Sequence, residues 1–89
     1  MNFQRDAVLA AIKSKVMEIA SMLGSDASDL QPDDIIPATG AIDSGGLLEL
    51  IAWFEASYEL HIATEEFTID NLGSMTMMVH FLLQRKGLL

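Results

Sequence analysis

The chain has 89 residues and no cysteine. That leaves room for one small domain and excludes a disulfide framework, a thiolate metal site and a side-chain thiol nucleophile. Thirteen acidic residues against five basic ones give a net charge of −8, which argues against nucleic acid, because phosphate binding needs Lys and Arg to displace counterions, and against an anionic membrane surface. A basic protein partner suits that field better, although acidity also serves plain solubility.

In chain order, residues 3–23 are expected to form the first helix. Val8, Ile12, Val16, Ile19 and Leu23 recur at steps of three and four and mark one face. Gly24 is placed to stop it as a C′ residue. Arg5, Asp6, Lys13 and Lys15 interrupt the apolar run, which is too short for a signal peptide. No stretch approaches the ~20 apolar residues of a membrane span. The expectation is a soluble, cytoplasmic monomer with a single domain over residues 1–89.

Residues 24–43 hold Pro32, Pro37, Gly40 and several Ser and Asp, without a sustained period. They predict a long loop, with Leu30, Ile35, Ile36 and Ile42 as anchors and a single turn at residues 33–36. Loops of this length are uncommon in compact domains unless they have a role. A second helix is predicted over residues 44–58, with Leu47, Leu50, Ile51, Phe54 and Tyr58 on its buried stripe and Leu48 extending it. A short third helix is expected at 64–67, capped by Thr64 and anchored by Phe67. A last helix should span 74–86, with Ser74 as its N-cap and Arg85 and Lys86 at its C-terminal dipole end. The fold class is all-α, a small bundle of four helices with a long first loop and a short third helix.

Few residues offer chemistry. The sequence has neither a glycine-rich phosphate loop of the Walker type nor a dinucleotide fingerprint. His61 and His80 stand far apart and read as surface or half-buried residues. Asp29, Asp33 and Asp34 lack the order of ligands and glycine that a calcium loop needs. Met75 and Met78 read as core fillers beside Val79 and Leu82. Trp53 is either a ligand platform or a half-buried residue at the bundle edge. Without a triad or paired carboxylates, an enzyme has little residue support.

That leaves residues 41–50, AIDSGGLLEL. Ser44 or Asp43 can serve simply as the cap of the second helix. Gly45 and Gly46 then raise a question, because each costs roughly 1 kcal/mol against Ala inside a helix.

The segment GAIDSGGLLELIAWFEASYELHI resembles the G-x-D-S-x-x-x-x-E-L pattern of the acyl carrier proteins and peptidyl carrier domains, with Asp43-Ser44 and Glu49-Leu50 in register. The likeness extends over nearly the whole chain: first helix, long acidic loop, DS-initiated second helix, short third helix and closing helix. It implies that Ser44 carries a 4′-phosphopantetheine arm, attached by a separate phosphopantetheinyl transferase, with Asp43 helping to position Ser44 and approaching the transferase's metal. The arm's thiol would then supply what the cysteine-free chain lacks, and the carrier itself would catalyse nothing. Where fatty-acid carriers usually have a Leu-acid pair after DS, this chain has Gly45-Gly46. Gly46 is similar to the D-S-x-G motif of D-alanyl carrier proteins, which implies an activated amino acid as cargo, loaded by an adenylate-forming ligase, a class of which some members are synthetase-like, and passed to a downstream acceptor enzyme. A fatty-acid or polyketide cargo, or an unmodified acidic interaction module with Ser44 as a mere cap, are the alternatives. Bulky interior candidates Phe54, Tyr58, Phe67 and Phe81 favour a small polar cargo left outside the bundle.

The resemblance places partner contacts at Gly45, Gly46, Glu49, Ala52 and Glu55, with Ile69 and Asp70 near the far side of the arm. On this reading the glycines keep the surroundings of Ser44 bare. Gly45→Leu or Gly46→Asp is then expected to stabilise the helix and slow charging.

Overall fold

Val8, Ile12, Val16 and Ile19, spaced by three and four residues, are all but inaccessible to solvent and hold the first helix, α1 (Arg5–Met22), against the rest of the chain. The computed structural model describes residues 3–89, and these form an all-α structure without strands. The other elements are α2 (Ile36–Thr39), α3 (Ser44–Tyr58), a 3₁₀ turn at Thr64–Glu66, α4 (Ile69–Leu72) and α5 (Met75–Arg85). α1 packs on both α3 and α5, and α4 packs on α5.

α1 ends where Gly24 predicts. Gly24 is left-handed (φ +77°), its N–H donates to Ser21 O at 3.1 Å, and Ser25 N–H donates to Ala20 O at 2.7 Å. This is the paired closure that satisfies orphan helix carbonyls. Leu23, expected on the buried stripe, lies at the C-cap and is half exposed.

The long loop is tied down along its middle. Lys13 Nζ donates to Ser28 O at 2.9 Å and to Leu30 O at 2.8 Å. Ile36 N–H donates to Gly73 O at 2.8 Å, and Thr76 N–H donates to Pro32 O at 3.0 Å. Leu30, Ile36 and Ile42 are buried anchors as expected, joined by Ala27, while Ile35 is only half-buried. Within the loop, Ser28 N–H donates to Asp26 Oδ1, and bonding with Ser28 holds the Asp26 carboxyl below its usual range. The single helical turn falls three residues later than predicted, at α2. Pro37 suits a first turn, where its missing N–H leaves nothing unsatisfied, and left-handed Gly40 stops the helix.

α3 has the predicted bounds. It stops at Glu59, the one described non-glycine residue with positive φ (+53°). Phe54 and Tyr58 meet edge to face at 5.5 Å, and Trp53 meets Tyr58 at 6.2 Å, half-buried at the edge of the bundle. Burial raises the Tyr58 hydroxyl above its ordinary pKa.

The segment after α3 departs most from expectation. Residues 64–66 form a 3₁₀ turn in which Ala63 N–H donates to Glu66 Oε1 at 2.9 Å, so Thr64 is not the cap. The short third helix is α4 instead, capped by Thr68, whose side chain accepts from Asn71 N–H at 3.2 Å. Phe67 is not an anchor: it is 41% exposed, and Leu72 is the residue that enters the core. Arg85 holds the segment from α5, pairing with Glu66, donating to His61 O at 2.9 Å and lying 4.7 Å over the Phe81 ring. α5 starts as predicted at Ser74, whose hydroxyl accepts from Met77 N–H at 3.1 Å, and Met75, Met78, Val79 and Leu82 are buried. Among the described residues, no helix is long and apolar enough to cross a membrane.

Lys13→Met keeps the aliphatic stem and removes both loop bonds. We expect a loss of about 1–3 kcal/mol in urea denaturation, with amide exchange in residues 25–31 accelerating more than in α5.

The serine at the start of α3 and the clefts beside it

α3 begins where one side chain satisfies its first turn. Asp43, in extended conformation, is the N-cap, and its Oδ1 accepts from Gly46 N–H at 2.7 Å. Of the two capping candidates, the structure therefore selects Asp43. Ser44 is left at the first helical position, exposed, with its hydroxyl not needed as the cap.

The two glycines that follow are not equivalent. A Cβ on Gly45 would meet only Asp43 Oδ1, at an ordinary 3.5 Å. Gly46, expected on the partner-facing surface, is buried. A Cβ there would lie 3.0 Å from Ile19 Cγ2 and 3.1 Å from Ile42 Cβ. Ile19 and Ile42 are themselves hemmed in by the core, so neither can yield cheaply. Gly46 thus sets how closely α3 approaches the end of α1, which argues against the expectation that Gly46→Asp stabilises the helix.

Two clefts flank Ser44. One, of about 320 Å³, includes Ser44 itself and is lined by Leu47, Leu48, Phe67, Ile69 and Leu72 among others. It is open, because Leu48 is 59% and Ile69 58% exposed. Leu48 therefore faces this cleft and does not extend the buried stripe. The other cleft, of about 350 Å³, lies between the end of α1 and the start of α3 and includes Met22, Asp43, Gly45 and Glu49.

The remaining expected contact residues divide. Glu49 and Ala52 are exposed on α3. Glu55 is half-buried and already engaged, its carboxylate accepting from Ile62 N–H at 3.0 Å. Ile69 shares the cleft of Ser44, whereas Asp70 lines a different one with His80 and Gln84. Phe67 and Leu48 are the site residues that sequence reasoning misplaced, since both look like core residues by type and spacing. His61 and His80 are exposed, and among the described residues no group of His, Asp or Glu is arranged to hold a metal ion.

The glycine pair yields a test with opposite signs. Gly45→Ala should stabilise by up to about 1 kcal/mol through helix propensity. Gly46→Ala should destabilise by about 1–3 kcal/mol through overpacking, despite the same propensity gain. Chemical denaturation of both variants decides it.

No protein-family model matches the chain, and no solved structure matches it significantly. Curated relatives do. D-alanyl carrier proteins of three strains of Streptococcus thermophilus are 32% identical to it over 69 residues, covering 76% of this chain and 86% of theirs. With that similarity running over most of both chains and an all-α fold that opens α3 with an exposed serine, the chain belongs to the acyl and aminoacyl carrier protein family, to which the D-alanyl carrier proteins belong.

Proposed function

We propose that the chain is a phosphopantetheine-dependent carrier that holds an activated amino acid as a thioester on an arm attached to Ser44. The observation that carries this reading is an exposed serine at the first position of α3, free of capping duty, in a relative of proteins named D-alanyl carrier proteins.

The residues around Ser44 fit a phosphate. The first N–H groups of a helix have no intrahelical partner, and only that of Gly46 is taken by Asp43. Those of Ser44 and Gly45 remain for an anion at the positive end of the helix dipole. The missing side chain of Gly45 leaves the approach to them open. When attached, the arm supplies a thiol, which the chain itself lacks. This chain's own part is to present Ser44 rigidly, to cap the helix with Asp43 and to offer surfaces to successive enzymes. It catalyses no step. Its partners on this reading are a phosphopantetheinyl transferase, an adenylate-forming ligase and a downstream acceptor enzyme, all in the cytoplasm.

A small aminoacyl group suits the packed interior, where Phe54, Met78 and Leu82 are fully buried. The open apolar cleft beside Ser44 favours a second reading, a longer fatty or polyketide acyl chain lying along Leu48, Phe67 and Ile69.

Incubation with coenzyme A and a broad-specificity phosphopantetheinyl transferase should add a single phosphopantetheine to the wild type, read by intact mass. Ser44→Ala should stay unmodified while melting at the same temperature. An unmodified wild type, or an equally modified Ser44→Ala protein, refutes the reading. Intact mass of protein purified from its native cell then distinguishes an aminoacyl from a longer acyl cargo.

A further inference from the structure

We propose that Arg85 and Glu66 form a brace, on the α5 side of the 3₁₀ turn, that holds the apolar cleft beside Ser44 open. What enters that cleft rests on the carrier reading above; the brace itself does not.

An open apolar cleft needs a physical cause. Among the described residues, those that line it carry no charge, and Leu48, Phe67 and Ile69 are between 41% and 59% exposed. Apolar side chains facing each other across water gain free energy by closing on one another. Leu47, Leu48 and Ile51 are fixed in α3. Phe67, Thr68 and Ile69 belong to a segment with no burial of its own, because no residue between Ile62 and Leu72 is buried. Leu72 anchors its far end in the core. Such a segment would swing onto α3 unless something drew it the other way.

The opposing pull comes from α5. Glu66 and Phe67 are neighbours in sequence but line different clefts. Phe67 lines the apolar one, whereas Glu66 lines a polar one with Asn71, Phe81, Gln84 and Arg85. There the Arg85 guanidinium pairs with Glu66 Oε2 through Nη2, donates from Nη1 to His61 O at 2.9 Å and lies 4.7 Å over the Phe81 ring. Partners on two edges and one face hold its plane, which a lone surface ion pair would not do. Glu66 passes the pull on. Its Oε1 accepts from Ala63 N–H at 2.9 Å, and its carbonyl accepts from Thr68 N–H at 2.9 Å and from Asn71 Nδ2 at 3.1 Å. The backbone on both sides of Phe67 is thereby tied to a residue that is itself tied to α5. Arg85 and Glu66 are positioning residues: neither lines the apolar cleft, and they set its width through Phe67 and Ile69. On the carrier reading, the group received there is the cargo of the arm on Ser44, itself a lining residue, and the brace sets how bulky an apolar cargo finds room.

The test uses the full unmodified chain, with 1-hexanol as a neutral apolar probe. In the wild type, hexanol should shift amide resonances at residues 47–51 and 67–72 to saturation. Arg85→Met keeps the stem over Phe81 and removes both bonds. Glu66→Gln keeps an acceptor for Ala63 N–H and removes the ion pair. Each should weaken hexanol binding by about threefold or more, because the cleft wall is no longer preorganised. In each, a soluble nitroxide should also attenuate the Phe67 ring signals less, as Phe67 closes on α3. Lys13→Met removes two bonds to residues 28 and 30, outside this cleft, and should bind hexanol within about twofold of the wild type. A wild type that takes up no hexanol, or a folded Glu66→Gln protein with unchanged hexanol affinity and Phe67 attenuation, overturns the proposal. A wild type that accepts no phosphopantetheine refutes the carrier reading and leaves the brace standing, so the two failures are distinguishable.

Discussion

Where α3 meets α1, the backbone of Gly46 lies so close to Ile19 and Ile42 that an added methyl group would sit 3.0 and 3.1 Å from them. The same residue gives its N–H to Asp43. One position therefore fixes both the distance between two long helices and the direction in which the second one starts. Ser44 owes its place to that contact: two residues before the buried glycine, the chain has just emerged from the interface, and the next side chain points to solvent. On the proposed reading one hydroxyl is presented to partner enzymes, and it needs to be held by something stiffer than a loop. Close packing of buried aliphatic groups is the stiffest means available to a chain without disulfides.

The loop before α3 shares this task. Its backbone carbonyls at 28 and 30 are held by Lys13, and Pro32 and Ile36 by hydrogen bonds to residues 76 and 73. Leu30, Ile36 and Ile42 add buried area, so the mostly irregular segment between α1 and α3 behaves as part of the scaffold. Arg85 does the same for the segment between α3 and α4. Irregular chain on either side of the bundle is thereby converted into walls; the cleft that contains Ser44 lies between those walls and α3, and the other cleft lies between the end of α1 and α3. One is apolar and the other acid-rimmed, which gives a single serine two different neighbourhoods.

Much of this was legible in the sequence. The bounds of α3 and the start of α5 follow from apolar period and capping residues, and the family from the register of Asp43-Ser44 with Glu49-Leu50. What stayed hidden depends on distances between elements. Leu48 has the spacing of a core residue, but the element opposite it is a single turn too short to cover it. Phe67 is large and apolar, yet the 3₁₀ turn before it aims the chain so that Leu72 takes the core position. Gly46 and Gly45 are the same letter, and only the proximity of Ile19 separates a packing glycine from an open one. Glu55 lies on the outward face by period, but a loop amide seven residues on finds its carboxylate first.

The two hydrogen bonds that seat the long loop, from Ile36 to Gly73 and from Thr76 to Pro32, each join residues about forty positions apart. Contacts so distant along the chain are slow to form, because loop-closure entropy must be met before they contribute anything. Helices α1 and α3 can appear early from local interactions, but the wall that frames Ser44 is completed only when α5 has arrived. The serine is thus part of an intact surface only in the finished fold, and an enzyme that reads that surface reads the completeness of folding along with it.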